Sequence, residues 1–284
     1  MKSDSAAGAG GRFFDGPPQE KLAPSGGSAV RAVTSVGAQF FDGPPQEKLA
    51  PVGGSEPHAA GSVGAFIFDM DGTMIDSMPW HAQSWVEFTR RHRIQIEVDD
   101  LMRRTTGRTG AECMAELFGR EVAREEALTL IHEKETIYRE LFAPVFAEVA
   151  GFMAFAALGR AQGLKIGVGT AGDQHNIAFA FSHLNLPVAP HAVVGGDEGL
   201  PGKPEPAIFL EASKRMATMA NACIVFEDAP FGIEAARRAG MRAVAICTTH
   251  SARELAGPHV IAHARNYNEL IESKFLEKLN VATA

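Results

Sequence analysis

Cysteine is scarce in this chain of 284 residues: Cys113, Cys223 and Cys247 are odd in number and irregularly spaced. That argues against a disulfide framework and fits reduced thiols in a cytoplasm. Long apolar runs are missing too. The longest, Val149 to Leu158, is too short to span a bilayer, and no apolar signal core opens the chain, so no membrane association is expected. Positive charge is in deficit, 27 Lys and Arg against 34 Asp and Glu, for a formal charge of −7. With no basic cluster to offset it, nucleic acid and anionic membranes are not expected partners.

What the chain does have is 45% hydrophobic residues, enough to fill a core of about 150 residues plus a smaller unit of about 70. Residues 1–62 are a different material. Phe13–Pro24 and Phe40–Pro51 both read Phe-Phe-Asp-Gly-Pro-Pro-Gln-Glu-Lys-Leu-Ala-Pro, surrounded by Gly, Ser and Ala. Two copies are too few for a solenoid, and the Pro pairs with little apolar content predict a disordered extension. It is either passive or a pair of short docking motifs with Phe-Phe anchors, whose protein partner is unknown.

Phe66-Ile67-Phe68-Asp69-Met70-Asp71-Gly72-Thr73 is the most informative stretch. Ala65 to Phe68 reads as a strand buried on both faces, so Asp69 falls where the strand gives way to a loop. In an extended segment residues i and i+2 point the same way, so Asp69 and Asp71 address one small volume. Two carboxylates that close repel each other unless a proton, a cation or different surroundings separate their roles. Gly72 lets backbone N–H groups approach an anion.

Three further segments repeat the pattern. Leu164 to Gly169 reads as a second buried strand, ending at Thr170-Ala171-Gly172, a hydroxyl among small neighbours suited to an oxyanion. Cys223 to Phe226 is a third, ending at Glu227-Asp228. Between them lies Gly202-Lys203-Pro204-Glu205-Pro206, where Pro206 suits the first turn of a helix and Lys203 offers a point charge for phosphate. In an open parallel sheet the carboxyl ends of the strands share one crevice, where ligands bind.

These residues, in this order over roughly 64–270, resemble the haloacid dehalogenase superfamily of phosphotransferases. The resemblance implies an α/β fold: a doubly wound, mostly parallel sheet with a helical cap inserted after the first strand. It implies that Asp69 is the nucleophile that becomes an aspartyl phosphate and Asp71 the general acid/base. Thr170, Ala171 and Lys203 would hold the phosphoryl group. Asp69, the backbone carbonyl of Asp71 and Asp228 would hold Mg²⁺, with Glu227 helping directly or through water. Dehalogenases of this superfamily lack the second Asp of the first motif, so Asp71 favours phosphoryl transfer. The Phe-Asp-Gly of the N-terminal repeat lacks it as well and is not a second active site. Proximity to Asp69 is expected to raise the Asp71 pKa.

Residues 79–150 are strongly helical, with helices expected over Trp80–His92, Asp99–Arg104, Gly110–Phe118 and Arg124–Leu141. They read as a cap that excludes water from the crevice. The phosphotransferase core would then be 63–78 and 151–275, with a C-terminal tail at 276–284. Asp76-Ser77-Met78-Pro79-Trp80-His81 resembles the start of the cap in the β-phosphoglucomutase-like branch, which would put His81 near the leaving group; a plain surface or core histidine is the alternative. Arg108, in Thr105-Thr106-Gly107-Arg108-Thr109-Gly110, is either a clamp for phosphate or sugar oxygens or a solvated turn residue. Lys134 aligns with a cap lysine of the same branch, though flanking acids fit a solvated face.

Where a mutase of that branch grips its second phosphate with Ser, Lys and Asn, this chain has Gly172, Asp173 and Gln174; a carboxylate there repels phosphate. Thr106 and Asp228 depart from the pyrophosphatase pattern of the branch, and Val225 to Ala236 looks most like sugar phosphatases. The expected activity is Mg²⁺-dependent hydrolysis of a small phosphorylated metabolite, with a β-phosphoglucomutase-type isomerase as the enzymatic alternative. A non-catalytic phosphate-binding or docking protein is a third, against which Asp71 speaks.

Overall fold

The computed structural model describes residues 62–105 and 108–281; the duplicated N-terminal segment and Thr106 and Gly107 lie outside the described residues. Ala65–Phe68 forms β1, buried on both faces. The helices α1 (Met78–His92), α2 (Val98–Thr105), α3 (Gly110–Phe118) and α4 (Arg124–Phe142) follow. Next come α5 (Phe152–Ala161), β2 (Lys165–Gly169), α6 (Gln174–Leu184), β3 (Ala192–Val194) and α7 (Ala207–Arg215). The chain closes with β4 (Cys223–Glu227), α8 (Pro230–Arg238), β5 (Arg242–Ile246), β6 (Val260–Ala264), α9 (Tyr267–Glu272) and α10 (Phe275–Val281).

The strands form one sheet in the order β3-β2-β1-β4-β5-β6, every pair parallel. β1 lies between β2 and β4, with Phe68 opposite Val168 and Phe226. The chain winds outward through β2 and β3, then returns to add β4, β5 and β6 on the other side of β1. At such a reversal the crossover helices leave toward opposite faces, and a crevice opens at the strands' carboxyl ends.

Alternation along β1 builds the two core layers. Phe66 and Phe68 face a layer that includes Phe152 and Phe155 of α5, Phe226 and Tyr267. Ala65 and Ile67 face another with Ile208 and Phe209 of α7 and Ile233 of α8. Phe66 stacks on Phe155 with centroids 5.8 Å apart, and Phe68 on Phe226 at 4.6 Å. Complete burial of each such ring stabilises by about 1.5–3 kcal/mol.

The inserted helices have a cluster of their own, including Trp85, Phe88, Leu101, Met114, Leu117 and Ile137. Helix α4 serves two cores: Ile137 packs within the insertion, while Tyr138 and Phe142 join the layer over β1. α1 begins at Met78, two residues before the expected start, because Pro79 is tolerated in a helix's first turn. α3 opens on a capping box between Thr109 and Glu112. The stretch expected as a tail from 276 begins inside α10, whose Phe275 and Leu276 are buried in the layer over β1. No helix among the described residues is long and apolar enough to cross a membrane.

Candidate active site

Asp69 follows β1 directly, and its backbone N–H donates to the Phe226 carbonyl at 3.0 Å, extending the ladder one residue beyond the strand. Its side chain is buried. Lys203 lies in the turn before α7, and its ammonium donates to Asp69 Oδ1 at 2.5 Å and to Glu227 Oε1 at 2.7 Å. The other oxygen of Glu227 accepts from the Ala229 N–H at 2.8 Å. Both oxygens of Glu227 are therefore engaged, and it anchors Lys203 in this geometry.

Asp228 accepts from Thr249 Oγ1 at 2.5 Å and from Thr73 Oγ1 at 3.4 Å. Gly72 has φ +75°, and a Cβ there would overlap the Asp228 carboxylate. Glycine is required by that close approach as well as by its dihedral. Thr170 is buried, and its hydroxyl oxygen accepts from the Gly172 N–H at 2.9 Å, which leaves the hydroxyl proton to donate. Thr170 and Ala171 line the same pocket as Asp69, Asp71, Glu227 and Asp228.

The acid charge here exceeds what Lys203 neutralises. Ligand atoms of Asp69, Glu227 and Asp228 lie within 4.8 Å of one another. Burial raises the Asp69 carboxyl above the usual carboxylate range; Lys203 opposes this and the charges of Glu227 and Asp71 add to it. Burial also raises Asp228, followed by the charges of Glu227 and Asp69. An oxygen-rich set held at such electrostatic cost fits a hard divalent cation.

Asp71 has different surroundings. Ser77 Oγ at 2.7 Å, His81 Nε2 at 3.2 Å and the Tyr138 hydroxyl at 3.4 Å all converge on its Oδ1. Burial alone would raise its pKa, but His81, Ser77 and Lys134 outweigh burial and hold the carboxyl below its usual value. The expected rise from Asp69 is thus reversed, because the insertion brings donors that the motif does not contain.

His81 stacks on Tyr138 with centroids 3.8 Å apart and lines the pocket. Lys134, for which the flanking acids suggested a solvated face, is buried. It meets His81 Nδ1 at 2.7 Å and lies 5.0 Å from the Trp85 ring centroid. Arg108 also lines the pocket, 4.9 Å from the Phe231 ring centroid and 3.8 Å from Glu116. Asp173 caps α6, accepting from the Asn176 N–H at 2.9 Å, which accounts for a carboxylate at that position.

Tyr138, Glu135, Asn176 and Thr249 were not singled out from the sequence, and Ser77 only as part of the motif that opens the insertion. Tyr138 had a signal, four residues after Lys134 and so on the same helix face. The hydroxyl of Thr249 comes from the loop after β5, and nothing local marks it.

The family model described as haloacid dehalogenase-like hydrolase matches residues 63–240. The chain is 30% identical over 200 residues to validoxylamine A 7'-phosphate phosphatase of Streptomyces hygroscopicus subsp. limoneus, covering 68% of this chain and 90% of that one. It is 31% identical over 179 residues to fructose-1-phosphate phosphatase of Escherichia coli, covering 62% and 92%. A solved family IA variant 3 hydrolase from Entamoeba histolytica superposes with a TM-score of 0.66 at 27% identity, covering 77% of this chain and 100% of that one. Sequence match, sheet order and the acid and lysine cluster at the carboxyl ends of β1 and β4 agree: the chain belongs to the haloacid dehalogenase-like hydrolases.

Proposed function

We propose that this chain hydrolyses a small phosphate monoester, a sugar phosphate in the first instance, through an aspartyl-phosphate intermediate with Mg²⁺. The observation that carries the proposal is that Asp69 and Asp71 line one pocket, Asp69 held by buried Lys203 and Asp71, two residues on, held separately by His81, Ser77 and Tyr138. Two carboxylates with separate surroundings suit two separate roles.

In this proposal the phosphoryl oxygens rest on Lys203, the Thr170 hydroxyl and the loop through Ala171. Asp69 attacks phosphorus, its O–P bond forming as the ester P–O bond breaks, while Asp71 gives a proton to the departing oxygen. A water molecule then attacks phosphorus, Asp71 takes its proton and the Asp69–phosphorus bond breaks. Asp69, Asp228 and the Asp71 carbonyl would hold Mg²⁺, which supplies charge neutralisation for the attack of an anion on an anion. The phosphoryl group, itself a negative charge, shifts Asp71 toward its protonated form on binding. Arg108, Trp85 and Lys134 line the same pocket, and in this proposal they meet the leaving group.

The sugar preference is supported by the relatives, two of which are named for phosphorylated sugar or sugar-like substrates. The test is free-phosphate release from a panel of phosphorylated metabolites, with and without glucose 1,6-bisphosphate. Steady release without the bisphosphate is expected. Interconversion of β-glucose 1-phosphate and glucose 6-phosphate, with phosphate release slower by ~10²-fold, would replace the hydrolase with an isomerase.

A further inference from the structure

Glu135 and Arg139 lie one turn apart on α4, the spacing at which an acid and a base on a helix usually pair with each other. Here they hold opposite ends of one amide instead. Asn176 Nδ2 donates to Glu135 Oε2 at 2.7 Å, and Arg139 Nη1 donates to Asn176 Oδ1 at 2.7 Å. The chemistry leaves no choice of amide orientation, because a carboxylate only accepts and a guanidinium only donates. Asn176 is 3% exposed and belongs to α6, the helix that follows Thr170. The contact therefore ties the inserted helices to the phosphate side of the sheet.

The remaining oxygen of Glu135 accepts from Lys134 Nζ at 3.0 Å. Lys134 in turn meets His81 Nδ1 at 2.7 Å, and His81 Nε2 meets Asp71 Oδ1 at 3.2 Å. An ammonium group has no lone pair, so Nδ1 must accept and the ring proton must sit on Nε2, aimed at Asp71. Asn176 and Lys134 both donate to Glu135, and from Lys134 donation runs on through His81 to Asp71, so Glu135 is the point that holds Lys134 in place.

We propose that Asn176 is a positioning residue: by clamping Glu135 and Arg139 it holds Lys134 on His81, and so sets the His81 tautomer that faces Asp71. The effect on catalysis rests on the acid/base role proposed for Asp71, whereas the effect on the His81 tautomer does not. A buried amide that loses either partner is left unsatisfied at about 1–3 kcal/mol, enough to favour the clamped arrangement.

The experiment compares wild type, Asn176→Ala and Asn176→Asp with glucose 6-phosphate and p-nitrophenyl phosphate, and records imidazole ¹⁵N spectra of the three proteins. An alkyl ester needs a proton at its leaving oxygen; nitrophenolate leaves without one. Asn176→Ala is expected to lower kcat on glucose 6-phosphate about tenfold or more, a part of what a general acid supplies. The p-nitrophenyl phosphate rate should stay within about threefold, and the His81 signal should lose its single Nε2-protonated form. Asn176→Asp should be worse than Asn176→Ala on the alkyl ester, since it sets a carboxylate against Glu135. Equal losses on both esters, or an unchanged His81 signal in folded Asn176→Ala, would overturn the proposal. If Asn176→Ala does not fold, Glu135→Gln carries the same two readouts, because it weakens the hold on Lys134 at similar shape. Should wild type cleave neither these esters nor any member of the metabolite panel, the phosphatase assignment falls while the ¹⁵N spectra still decide the clamp.

Discussion

Lys203 stands 134 residues from Asp69 in the chain, yet its ammonium lies 2.5 Å from Asp69 Oδ1 with both side chains buried. Burial alone would lower the lysine pKa, but the charges of Asp69 and Glu227 hold it above its ordinary value, so it stays a cation. A fixed positive charge beside a buried carboxylate is not free to wander into solvent.

Asp69→Asn is expected to separate chemistry from stability. The amide cannot attack phosphorus, so turnover and any beryllium fluoride complex should disappear. The fold should survive, because the substitution removes one negative charge from a cluster already raised by burial and by the repulsion of Glu227 and Asp71. A residual rate above about a hundredth of wild type would remove Asp69 from the nucleophile's role.

Asp228→Ala should raise the Mg²⁺ concentration needed for activity and reduce the thermal stabilisation that added Mg²⁺ gives. Thr249→Val should do the same more weakly, since it removes only the 2.5 Å hydrogen bond that orients Asp228; loss of a partner that orients a metal ligand typically costs about 10–100-fold in metal affinity. Melting curves with and without Mg²⁺ measure both effects. An unchanged Mg²⁺ response in Asp228→Ala would move the cation site elsewhere.

Gly232→Ala gives a case where helix propensity and packing disagree. Alanine in α8 would gain about 1 kcal/mol of propensity, but its Cβ would overlap the Glu227 carboxylate. Overpacking costs about 1–3 kcal/mol, and displacing Glu227 also frees Lys203 from one anchor. Lower stability in urea and lower kcat are expected together. A more stable and fully active variant would show that Glu227 moves aside without consequence.

Thiol labelling tests whether the pocket is closed in solution. Burial pushes the Cys113 thiol up to about 12, so little thiolate is present near pH 8. Cys247 is only half-buried. Iodoacetamide followed by peptide mass spectrometry should find Cys247 modified well before Cys113. Faster labelling of Cys113 would mean that the inserted helices stand open most of the time.

Much was legible along the chain because it rests on local rules. Four apolar residues followed by Asp69-Met70-Asp71 mark a buried strand and its carboxyl end. The start of α3 agrees with expectation because Thr109 and Glu112 form a capping box, and its end because Gly119 follows in the left-handed region. The fold class came with the resemblance that the ordered motifs carry, and the six-stranded parallel sheet agrees with it.

What the linear pattern did not contain is which groups meet across elements. The acids beside Lys134 pointed to a solvated face, yet α4 is packed on two sides, so its lysine is buried against Trp85 and hydrogen-bonded to His81. Asp71 was expected to be raised by its neighbour in the chain and is instead lowered by groups from α1 and α4. Asn176 and Thr249 carried no local mark at all. Backbone periodicity is a short-range property and can be read residue by residue, whereas the protonation and orientation of a buried side chain depend on distances that only the packed chain creates.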